Sequence, residues 1–159
     1  MKKKLALVVF ICFLVLASIG MSYADDKDVI FIDCGSWDNE SGINVGTVVA
    51  FVDEIGDLNI SILNAYPTYE AYVNFTARYH NASGEDIDVY LTEINITCND
   101  PTAMNISITD TNNQPFPPNK VVHPGDTLDG IATITFLPTA QETFPYWFTV
   151  RFIFADEPA

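Results

Sequence analysis

The chain has 159 residues, of which 21 are acidic and 7 basic, for a formal net charge of −14. A surface of that sign repels nucleic acid and anionic lipid and favours cations, basic partners and solubility. The length suits one domain with a real core.

Met1-Lys2-Lys3-Lys4 is a basic start, Leu5 to Ile19 is an apolar run, and Ser22 and Ala24 supply small residues at the sites a signal peptidase reads. That layout predicts a secretory signal peptide over residues 1–24, since the run is short for the ~20 residues of a spanning helix. Its removal leaves Lys27, Arg78, Lys120 and Arg151 facing all 21 acidic residues. The expected product is secreted, with no membrane segment and no nucleic-acid partner.

Residues 25–43 read as a separate piece. Val29-Ile30-Phe31-Ile32 is a short apolar strand, and the polar, Gly-containing stretch from Gly35 to Asn44 is too long for a tight hairpin. The strand is therefore free to pair away from its nearest sequence neighbour.

The rest, residues 44–159, reads as one β-sandwich. Gly46 to Val52 is apolar on both faces, which suggests a central strand. Strict alternation follows in Leu58-Ile60-Ile62, in Val73-Phe75-Ala77-Tyr79 and in Met104-Ile106-Ile108. It returns in Ala132-Ile134-Phe136 and in every even position from Tyr146 to Phe154. Such segments are half-buried strands. Between Ile87-Val89-Leu91 and Ile94-Ile96-Cys98 the parity changes, which predicts a bulge near Thr92-Glu93. Turn residues separate the runs, and no segment after the leader keeps a helical period. Seven or eight short strands predict an all-β sandwich of jelly-roll or immunoglobulin-like kind, with an N-terminal extension strand.

Cys12 leaves with the leader, so Cys34 and Cys98 form an even pair in an oxidising setting. A disulfide is the favoured reading, stabilising by about 4 kcal/mol for a loop of that length. Two free thiols, or a bond between subunits, are the alternatives. Six of the twelve Asn residues open an N-x-[ST] triplet: Asn39, Asn59, Asn74, Asn81, Asn95 and Asn105. Chance predicts about 1.6 such sites. Asn59, Asn74, Asn95 and Asn105 fall at the parity opposite to the apolar face, where a glycan reaches water.

Catalytic signatures are absent, and the chain is expected to be no enzyme and to carry no cofactor. His80 and His123 sit at a strand end and a turn; with Cys98 and Met104 they lack the spacing of a copper site. Asp53, Glu54 and Asp57, and Glu85, Asp86 and Asp88, match no calcium loop and read as solvated turns, so no metal is expected.

Four segments carry a resemblance: Asn44 to Phe51, Asn64 to Ala71, His123 to Gly130, and Tyr146 to Val150. Together they resemble the secreted TasA/camelysin-like proteins, and within that group the archaeal bundling-pilus subunits. The resemblance covers most of residues 25–159 through strand-and-turn patterns. It implies a fibre subunit that polymerises head to tail with identical copies by donor-strand complementation, with Val29, Ile30, Phe31 and Ile32 as the donor strand. The metalloprotease role described for camelysin-like members has no zinc-binding spacing here to inherit. A monomeric surface module using Trp37 or Trp147 to bind carbohydrate or protein is the alternative.

Overall fold

The computed structural model describes residues 29–38, 46–79 and 87–159. The period-two segments place their apolar side chains on one face each, and those faces close on one another as two antiparallel sheets. In chain order the strands are β1 (Val29–Asp38), β2 (Thr47–Val52), β3 (Leu58–Leu63), β4 (Glu70–Tyr79) and β5 (Val89–Cys98). Then follow β6 (Met104–Asp110), β7 (Lys120–Val122), β8 (Thr127–Phe136) and β9 (Tyr146–Ala155). One sheet runs β1-β4-β8-β6 and the other β2-β3-β9-β5-β7. The chain is an all-β sandwich.

Its core lies between the sheets. Val73, Phe75 and Ala77 of β4, with Ala132, Ile134 and Phe136 of β8, face Leu58, Ile60 and Ile62 of β3 and Tyr146, Phe148, Val150 and Phe152 of β9. A run of rings crosses the middle. Phe31, Phe75 and Phe152 have centroids 4.9 to 5.6 Å apart, and Phe116 joins Phe152 at 5.7 Å. Such tilted and edge-on pairs contribute roughly 1 kcal/mol each beyond the area they bury.

The change of parity in β5 is a register shift between Leu91 and Glu93 against β9, as the alternation predicted. Other expectations need correction. Gly46 to Val52 is not central: β2 ends the five-stranded sheet, with Val48, Ala50 and Val52 turned inward and Val49 and Phe51 outward into solvent. Apolarity on both faces here marks an uncovered face, not a second covering layer. Residues 35–38 are not linker, because β1 runs on through Asp38. Lys120–Val122 forms a ninth strand too short to show a period, and β8 begins at Thr127, ahead of the alternation visible from Ala132.

Candidate functional site: the first strand and its seat

β1 was expected to stand apart as an extension; in the single chain it forms one edge of its own four-stranded sheet. It pairs with β4 from Val29↔Tyr79 to Asp38↔Ala71. A register shift between Phe31 and Asp33 breaks the ladder once. The bulge leaves Ile32 exposed and brings Cys34 back to the inner side, half-buried against the core. Val29, 5% exposed, and Phe31, 2% exposed, enter the core.

Contacts hold the strand along its whole length. The Phe31 amide donates to the Gly56 carbonyl in the β2–β3 turn at 2.9 Å. Gly56 has φ +83°, and a Cβ there would lie 2.5 Å from Cβ of Ile30, so only glycine meets both demands. The Phe31 ring packs on Phe75 and Phe152. At Gly35 a Cβ would come 2.6 Å from Oδ1 of Asn74, whose side chain lies over that position. The Ser36 hydroxyl donates to the Val48 carbonyl at 3.1 Å. Trp37 stacks on Tyr72 with centroids 5.5 Å apart and planes 13° off parallel. The hydroxyl of buried Tyr69 donates to the Asp38 carboxylate at 2.8 Å. Gly56, Tyr69, Tyr72, Asn74, Phe75 and Phe152 thus form a seat for β1, reached from both sheets.

Cys34 and Cys98 are both free thiols. Within the single chain the Cys34–Cys98 bridge is not formed. Cys34 lies on β1 of one sheet and Cys98 on β5 of the other. Burial, and then the neighbouring Asp33 charge, raise the Cys34 thiol above its ordinary pKa.

Of the glycan acceptors, Asn74, Asn95 and Asn105 are exposed on outward faces. Asn59 is not free in this way. Its amide nitrogen donates to Asp53 Oδ2 at 2.8 Å and to the Asp57 carbonyl at 3.3 Å, and its oxygen accepts from Thr149 at 2.8 Å. Asn39, Asn81, His80, Glu85, Asp86 and the leader lie outside the described residues.

The acidic turn is an internal network. Asp53 also caps the amides of Ile55 and Asp57 at 3.1 and 2.9 Å. Asp57, 7% exposed, receives the Arg151 guanidinium on both carboxylate oxygens. His123 pairs with Asp88 at 2.6 Å across the surface. Among the described residues no group of three His, Cys, Asp or Glu side chains is placed to hold a metal ion, and no helix is long and apolar enough to cross a membrane.

Sequence reasoning missed Gly56, Asn74 and Tyr69 as the seat, since their role depends on β1 docking from afar. The Asp57–Arg151 pair had a signal: a carboxylate directly before the apolar run of β3, and an arginine on the outward parity of β9.

No protein-family model matches the chain, and neither a curated protein nor a solved structure does.

Proposed function

We propose that the chain is the structural subunit of an extracellular filament, exported behind residues 1–24 and assembled head to tail by exchange of β1 between identical copies. One observation carries this reading: an edge strand near the chain's start, laddered to β4 alone, inserts Phe31 into a seat built by the rest of the domain. A strand in that position can leave its own seat and enter a neighbour's. Each contact it makes at home is then made again between copies, so exchange changes connectivity while conserving the contacts. Residues 39–46, between β1 and β2, could span up to roughly 28 Å if extended. Transfer from one copy to the next is a heterologous contact, and such contacts grow filaments when they do not close. Surface glycans and the acidic charge keep such a fibre solvated. The role is structural rather than enzymatic.

Electron microscopy of purified residues 25–159 tests this. Filaments are expected from the intact chain and none from a chain lacking residues 25–33. Filaments persisting in the shortened chain refute the reading.

A further inference from the structure

Three rows across β2, β3 and β9 on the outward face of the five-stranded sheet differ from the rest of the described surface. Register places Thr47 opposite Leu63, Val49 opposite Ser61 and Trp147, and Phe51 opposite Asn59 and Thr149. No charged side chain occurs in these three rows; Asp53, bonded to Asn59, and the Asp57–Arg151 pair border them at one end. Val49, Phe51, Leu63 and Trp147 are each 48 to 53% exposed, and they are four of the seven large apolar residues exposed among those described. The edge strand beside them shares this character. Of the four strands that end the sheets, β1 carries Asp33 and Asp38, β6 carries Asp110 and β7 carries Lys120, whereas β2 has neither charge nor proline. Charge and proline are what ordinarily keep an edge from pairing with another chain.

We infer that the β2–β3–β9 face is a contact between two copies of this chain. The charge distribution selects that occupant. A basic partner is drawn to the acidic surfaces outside these rows, while a second copy, whose 21 acidic residues outnumber the four basic ones left after residue 24, is repelled by every one of them. The uncharged apolar face is where two such molecules can meet, each losing exposed apolar surface to the other. The contact is separate from the β1 seat and does not depend on strand exchange.

Sedimentation of residues 25–159 between 50 and 500 mM NaCl tests it, with Phe51→Lys as the probe and Ser107→Lys, the same charge on the opposite sheet, as the control. Self-association of the unaltered chain is expected to strengthen severalfold with salt, because salt screens the repulsion and leaves apolar burial intact. Phe51→Lys should weaken it at least tenfold and Ser107→Lys should leave it unchanged. A Ser61→Cys chain with Cys34 and Cys98 changed to Ser should form a covalent dimer on oxidation that Phe51→Lys abolishes, and this readout reports the face whether or not strands exchange. Equal association in both lysine variants, or no Ser61→Cys dimer at any salt, overturns the inference and leaves the face to an unlike partner.

Discussion

The amide of Phe31 donates to the carbonyl of Gly56 at 2.9 Å, joining the first strand of one sheet to a turn of the other. Gly56 lies against Ile30 at positive φ, so Gly56→Ala adds both a steric clash and backbone strain. Gly125 is also at positive φ, +88°, but a methyl group placed there would meet nothing within 4 Å. Gly56→Ala should therefore cost about 2–3 kcal/mol and Gly125→Ala about 1 kcal/mol. Urea unfolding of the two variants measures the difference, and equal losses contradict a seat fitted to β1.

Removing Arg151 strands the buried Asp57 carboxylate. Arg151→Ala should destabilise by about 2–3 kcal/mol, below the ~3–5 kcal/mol of a fully buried pair because the guanidinium is half exposed. Replacing Asp57 by Asn in the same chain should recover part of the loss. A double-variant cycle by chemical denaturation checks this; strict additivity would deny the coupling.

Glycan occupancy should follow the hydrogen bonds. Asn95 and Asn105 present exposed acceptor positions, while the Asn59 nitrogen is engaged by Asp53 and Asp57. In a glycosylating host, Asn95→Gln and Asn105→Gln should each lower the mass by one glycan. Asn59→Gln should leave the mass of attached sugar unchanged and lower stability by about 1 kcal/mol instead. Intact mass spectrometry decides.

His123 is held above the ordinary imidazole pKa, first by its hydrogen bond to Asp88 and that carboxylate's charge, with Asp126 adding and slight desolvation and Lys120 opposing. The folded state thus favours the protonated ring. Its contribution to stability is complete below the unfolded value of about 6.5 and is lost as pH rises through the higher folded value. Both side chains are exposed, so the effect on stability is small. An NMR titration of the His123 ring should give a midpoint above that of a free imidazole, and Asp88→Asn should bring it down.

The sandwich was legible because burial against one opposing layer imposes a period of two, and β3, β4 and β9 show it along their length, β8 from Ala132 on. Even the β5 bulge was visible, since one inserted residue exchanges inside for outside. β2 misled because period reports which side chains are apolar, not whether anything covers them. β1 was seen as an apolar strand of free pairing, yet its length was hidden by Gly35 and Ser36, which look like linker, and its bulge by Ile32, which reads as one more apolar strand residue. For the cysteines, count and compartment suggest a pair but say nothing of which sheet each thiol occupies.

Strand exchange requires that β1 of one copy fill the seat of another. Trp37 and Tyr72 are register partners across β1 and β4, with outward side chains in contact. Chains bearing Trp37→Cys alone and Tyr72→Cys alone, each with Cys34 and Cys98 changed to Ser, can be mixed during folding and bridged by a short thiol cross-linker. Exchange predicts covalent dimers of the unlike chains, and a ladder of multimers when both substitutions share one chain. A doubly substituted chain that closes only on itself, with no dimer from the mixture, would contradict it.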